Sequence, residues 1–171
     1  MPAPEQGERA RGGESEPRIA FDPEGFRWSG VTPAEYRHRI GESGAHSRGM
    51  GFAGVSRHTL ARPDDLPATW ELRYFEFEPG GYSSLEKHRH VHYVVVLRGS
   101  GRALVGERVV TCRPFDAIRV PSLVPHRWMN AGDQPFGFLC TADRDRDRPQ
   151  PLADDEWEAL AGAPLTSPFV F

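Results

Sequence analysis

The sequence predicts an all-β domain: a sandwich or barrel of short strands, with one short helix before it and another after it. Three observations carry that prediction. From Trp70 onward, segments rich in β-branched and aromatic residues recur at short intervals, separated by turns bearing Gly or Pro. Within SSLEKHRHVHYVVVLRG, residues 83–99, ligand-type groups recur at every second position, which is the period of a strand. Finally, 171 residues with 38% hydrophobic content suit one domain with a sizeable core and are too few for two large ones.

Residues 1–17 are polar and Gly/Pro-rich, with almost nothing apolar to bury, and read as disordered. They lack an apolar h-region, so they are not read as a signal peptide. Residues 18–60 form an N-terminal arm. Within it Thr32 suits an N-cap, Pro33 the first helical position and Glu35 the third residue of a capping box. Val31 and Tyr36 fit a hydrophobic staple. This pattern predicts a short helix from about Pro33 to Ile40, stopped by Gly41, with a Gly-rich loop after it. Residues 61–150 are the predicted barrel. Its strands are WELRYFEFEPGGY, the histidine segment, GRALVG, RVVTC, AIRVP, HRWMN and FGFLCTA. The run DRDRDR after Ala142 reads as a solvated exit turn. Residues 151–171 close the chain with a helix at ADDEWEAL, N-capped by Asp154. The apolar tail PLTSPFVF is expected to fold back on the domain or on a partner subunit.

Composition removes several functions. The net charge of −3 gives no electrostatic reason to bind nucleic acid or an anionic membrane. No apolar stretch approaches the roughly 18–20 residues of a transmembrane helix. No helix-turn-helix is recognisable. Two cysteines, Cys112 and Cys140, make no disulfide framework and no CxxC. They are expected as buried, inert thiols in a reducing cytoplasmic setting.

The histidine segment carries the chemistry. Glu86, His88, His90 and His92 share one strand face, and Val94 and Val96 continue that face as an apolar interior. Lys87, Arg89, Val91 and Tyr93 point the other way. Polar groups inside a core are costly unless something satisfies them, and a metal ion satisfies imidazole and carboxylate directly. RVPSLVPHRWMN adds His126 from another strand. His38, His46 and His58 are each read as surface or satisfied core residues. Trp128 has the parity of His126, and core packing is the simpler reading for it than a pocket wall. Arg73 and Arg119 are candidates to bind an anionic substrate, although surface ion pairs are the simpler reading of both.

These residues resemble the two motifs of the cupin superfamily. The first motif is matched by Gly80, five residues, Glu86-Lys87-His88, three residues, His92, six residues and Gly99. The second is matched by Phe115, five residues, Pro121-Ser122-Leu123, two residues, His126, three residues and Asn130. The resemblance covers about residues 70–142 and is nearest to stand-alone bacterial cupins. It implies a single double-stranded β-helix barrel, jelly-roll-like, with one divalent metal ion (Fe, Mn, Ni, Cu or Zn) held by Glu86, His88, His92 and His126. It also implies a homodimer. Two departures stand out. Glutamate and histidine are exchanged between the first and last ligand positions of motif one. Phe115 and Leu123 stand where motif two has glycine, so its loops are expected to differ in shape.

Four protein ligands on a six-coordinate metal leave two open positions, whereas four on tetrahedral zinc close the site. The expected function is a mononuclear metal-dependent enzyme acting on a small molecule, with dioxygenase-like chemistry at a three-His, one-Glu centre. A zinc-type isomerase, lyase or rearrangement enzyme is the alternative, as is a non-catalytic cupin that binds a small molecule or metal. Glu86 is assigned as fourth ligand or general base. His90 is assigned as substrate contact or proton shuttle, beside an equal alternative of a neutral core role.

Overall fold

A strand persists only where neighbours take its backbone hydrogen bonds, and the segments from Ala53 onward find those neighbours in one another. The computed structural model describes residues 18–35, 48–61 and 68–171. The chain forms two units, Met1–Val31 and Thr32–Phe171. In the first, β1 (Phe21–Asp22) and β2 (Arg27–Trp28) make a small antiparallel hairpin. Its rings Phe21 and Trp28 lie 5.0 Å apart.

The second unit is a curled antiparallel sheet. It contains β3 (Ala34–Glu35), β4 (Ala53–Ala61), β5 (Trp70–Tyr82), β6 (His92–Arg98), β7 (Gly101–Val105), β8 (Arg108–Cys112), β9 (Ala117–Val120), β10 (His126–Met129) and β11 (Phe136–Asp143). The strand order is β8-β7-β10-β5-β11-β6-β9, with β4 added to β5 and β3 to β4. The long β5 drives the curl. Its body pairs with β11 and β4, while its end at Tyr82 pairs with Met129 of β10. Side chains of both walls therefore meet inside. Phe75, Phe77, Val94, Val96, Phe136 and Phe138 form the main core. This curled half-barrel is consistent with the all-β barrel the sequence predicts.

A second cluster of Leu85, Leu104, Leu160 and Phe169 attaches the C-terminal segment. Helix α1 (Asp154–Gly162) and the 3-10 turn Ser167–Phe169 supply Leu160 and Phe169. The apolar tail thus folds back on its own domain. Arg127 anchors it. The guanidinium donates to the carbonyls of Ser83, Phe169 and Gly49 at 2.7–2.8 Å, and stacks on Phe171 with 4.2 Å to the ring centroid.

Three expectations change. Ala34–Glu35 is strand, paired with Arg57 and Ser56, so the helix predicted from Pro33 does not begin there. Pairing with β4 overrides the capping signal, since a short helix has little stability of its own. The rest of that helix, residues 36–40, lies outside the described residues, as do the predicted disordered segment 1–17, His38 and His46. Second, β4 was not anticipated. Its residues mix small, apolar and polar types without clean alternation, and pairing with β5 is what makes the strand. Third, the N-cap of α1 is Ala153, not Asp154. Alanine has no side chain to serve the N–H groups of the first turn, but the Glu156 carboxylate reaches back to accept the Ala153 N–H at 2.8 Å, the backward half of a capping box.

Candidate metal centre

Between Tyr82 and His92 the backbone is not a continuous strand. Glu86 and Lys87 make single bridges to His126 and Gln150. The side chains nevertheless keep strand parity: Glu86, His88, His90 and His92 are buried, while Arg89, Val91 and Tyr93 are exposed. His126 opens β10, and the Glu86–His126 bridge brings the two segments together.

Two turns hold this arrangement, and both correct a sequence expectation. Phe115 and Leu123 have φ of 72° and 60°. These are the two positions where motif two has glycine, so the left-handed torsions persist without it. Leu123 uses its torsion to donate its N–H to the His88 carbonyl at 2.7 Å, and Phe115 donates to Val96 at 2.8 Å. Where glycine remains, at Gly99, a Cβ would lie 2.1 Å from the Pro135 carbonyl.

The ring nitrogens of His88, His92 and His126 lie within 4.8 Å of one another. Each Nδ1 faces a backbone carbonyl: His88 that of His90 at 2.8 Å, His92 that of Thr141 at 2.9 Å, His126 that of Val124 at 3.0 Å. A carbonyl only accepts, so each Nδ1 carries the hydrogen and each Nε2 presents a lone pair. Burial pushes all three rings down to a pKa of about 4, and charge repulsion from the neighbouring imidazoles adds to it in His88 and His126. The rings are therefore neutral near pH 7. His88 Nε2 and His92 Nε2 stand 3.0 Å apart. Two lone pairs at that distance repel unless a shared electrophile lies between them. The donor set, the tautomers and this contact all fit a metal ion, and His88, His92 and His126 are positioned to hold one.

Glu86 lies outside that three-histidine cluster. It lines the same cavity, and its carboxylate accepts a short hydrogen bond from Ser84 Oγ. His90 stacks on His88, with ring centroids 3.6 Å apart, and its Nδ1 donates to Asp147 at 2.9 Å. Burial lowers the His90 pKa against that carboxylate. Burial raises that of Asp147, but hydrogen bonds from Arg89 and His90 outweigh it and keep the carboxyl below its ordinary range. The run DRDRDR is thus more than a solvated turn, because Asp147 reaches back to fix the His90 loop. No pattern in the run singles out Asp147. Its only signal is that it follows a strand ending beside the histidines.

The cavity, of about 100 Å³, is lined by these groups together with Trp128, Phe138, Cys140, Arg73 and Arg146. Trp128 belongs both to this wall and to the core, 4.6 Å from Phe138. Cys112 and Cys140 are free and buried, and burial raises both thiols. Cys140 belongs to the cavity wall, its Sγ 3.3 Å from His92 Nδ1. Arg119 is exposed on β9, whereas Arg73 is 4% exposed and faces the cavity, so the surface reading fails for Arg73. His58 is buried against Tyr74, on another part of the sheet.

A curled antiparallel half-barrel with a histidine cluster on its inner wall defines a class of protein. The cupin domain model matches residues 73–142. The chain is 39% identical over 125 residues to 1-methylthio-D-xylulose 5-phosphate methylsulfurylase of Rhodospirillum rubrum, covering 73% of this chain and 74% of that protein. This chain belongs to the cupin family. A cupin-2 domain crystal structure from Rhodospirillum rubrum superposes with a TM-score of 0.71 at 34% identity, covering 89% of this chain and 94% of that one. A cupin 2 conserved barrel protein from Rhodopseudomonas palustris gives 0.70 at 32%, covering 88% and 97%.

Proposed function

We propose that this cupin is a metal-dependent enzyme acting on a small phosphorylated ketose, at a single divalent ion held by His88, His92 and His126. The observation that carries the reading is the cluster of three neutral, Nδ1-protonated imidazoles on the wall of a cavity that also contains cationic side chains. The Rhodospirillum rubrum relative, whose name places its activity on 1-methylthio-D-xylulose 5-phosphate, supports the substrate class. It moves the preference from the oxidative chemistry expected of open coordination positions to chemistry beside a carbonyl.

A bound ion supplies Lewis-acid polarisation of a substrate oxygen. The chain's own residues supply the proton chemistry. Glu86, oriented by Ser84, accepts a proton from the carbon next to the ketone; the C–H electron pair becomes a C=C bond as the carbonyl π pair moves onto oxygen, and reprotonation at carbon reverses both shifts. His90, oriented by Asp147, is a second proton carrier on the same wall. Glu86 is assigned as base and not as fourth ligand, because it stands outside the three-histidine cluster while Ser84 holds its carboxylate on the cavity wall. A homodimer and a cytoplasmic location are part of the proposal, the latter supported by two free thiols. Among the described residues, no helix is long and apolar enough to cross a membrane.

The test is deuterium wash-in, followed by NMR, at the carbons flanking the ketone of 1-methylthio-D-xylulose 5-phosphate, with metal content measured on the same samples. Metal-loaded protein should catalyse exchange. Glu86→Gln should lose it with metal retained, and His92→Ala should lose both. No exchange by fully loaded protein sinks the ketose reading, and oxygen uptake in its place would restore the oxidative one.

A further inference from the structure

Arg73 is on β5, facing the cavity, 4% exposed. A guanidinium keeps its charge when buried, and an unpaired buried charge is strongly destabilising. Among the described residues, nothing neutralises it. Its Nη2 donates to Cys140 Sγ at 3.7 Å, its guanidinium lies 5.3 Å from the centre of the Phe75 ring, and its Nε has no hydrogen-bond partner. The other cavity arginine is different. Arg146 is half-buried and already paired with Glu71 at 3.1 Å. Arg73 is also close to the metal centre, since the sulfur it touches lies 3.3 Å from His92 Nδ1.

We propose that Arg73 is the substrate's anion subsite: it receives the phosphate of the ketose and holds the molecule's other end against the histidine cluster. The inference rests on the proposed function for the identity of the substrate, but not for the existence of the subsite. Guanidinium donors match the oxygens of a phosphate or carboxylate in a planar fork. Filling the site neutralises the unpaired charge, so binding energy remote from the reacting carbon is available to position it. Arg146, whose charge is engaged by Glu71, contributes less.

The structure therefore predicts a trade between stability and binding at one residue. Arg73→Met keeps the volume, removes the unpaired charge, and should raise the melting temperature of the ligand-free protein. It should also remove anion binding. Calorimetric titration of the metal-loaded protein with inorganic phosphate, acetate, D-xylulose and D-xylulose 5-phosphate reads the site. Wild type should bind xylulose 5-phosphate at least about tenfold tighter than xylulose, a factor typical of one charge-assisted contact. Arg73→Gln and Arg73→Met should abolish that ratio with metal content unchanged, and Arg73→Lys should keep part of it. Inorganic phosphate bound through Arg73, with no preference for the phosphorylated sugar, would leave the subsite standing and refute the ketose. Acetate binding in place of phosphate would overturn the phosphate assignment. So would an unaltered ratio in Arg73→Gln. A destabilised Arg73→Met with wild-type phosphate affinity would show Arg73 to be structural.

Discussion

Phe115 and Leu123 are two bulky residues in backbone conformations that favour glycine, and replacing each by glycine separates torsional strain from burial. A left-handed torsion costs a non-glycine residue roughly 1–2 kcal/mol. Glycine also gives the unfolded chain extra freedom, which costs about 0.4–1 kcal/mol of stability. Phe115 is 83% exposed, so its ring contributes little burial to lose. Phe115→Gly should therefore gain about 0.5–1 kcal/mol, a rise of about 1–4 °C in Tm for a chain of this length. Leu123 is 48% exposed. Truncating it forfeits about half of a leucine's transfer energy, on the order of 1 kcal/mol, so Leu123→Gly should come out near neutral. Both variants retain the N–H that serves the Val96 or His88 carbonyl. Phe115→Val should lose stability, because a β-branched side chain tolerates that torsion poorly. Scanning calorimetry of the four proteins at matched metal content provides the comparison. If Phe115→Gly melts below wild type, or Phe115→Val above it, the argument from torsion is wrong.

Arg127→Met should cost about 2 kcal/mol or more in urea denaturation, since it removes the guanidinium donor from the buried carbonyls of Ser83 and Phe169, whereas the Gly49 carbonyl keeps its bond from the Leu85 N–H; limited proteolysis should then cut the tail after α1 first. The histidine cluster sets the pH limit of metal binding. With the three pKa values lowered to about 4, protons compete with the ion only as pH falls toward that value. Metal retention by dialysis should hold to about pH 5, not fail near 6.5. The same shifts act on the metal-free fold. Between pH 6.5 and 4 the unfolded chain binds more protons than the native one, so stability should be present above 6.5 and fall with acidification across that window. A flat profile there would contradict the neutral, buried assignment. Asp147→Asn should release the His90 loop, seen as faster amide exchange at Arg89 and His90, whose N–H groups it accepts at 2.8 and 3.1 Å.

The strand faces were legible because side-chain parity is a local property: the period-two placement of Glu86, His88, His90 and His92 survives even where the backbone leaves the regular ladder. The barrel was legible for a similar reason, since turn chemistry and β-rich runs are written residue by residue. What stayed hidden depends on partners distant in sequence. Arg73 and Arg119 look alike on paper, and the pairing of β5 with β11 decides that one faces a cavity beside Cys140 while the other faces solvent. Asp147 acquires its meaning from a loop 57 residues away. Ala34–Glu35 carries a helix signal and becomes a strand because β4 offers hydrogen bonds that a short helix cannot match. The sequence by itself determined the all-β class, the shared face of the histidine segment and the spacing of His126. Only the tertiary structure decided which histidines converge, which tautomers the carbonyls impose, and where a buried positive charge is left for a ligand to neutralise. Periodicity is carried by neighbours in the chain, whereas electrostatic environment is a sum over neighbours in space.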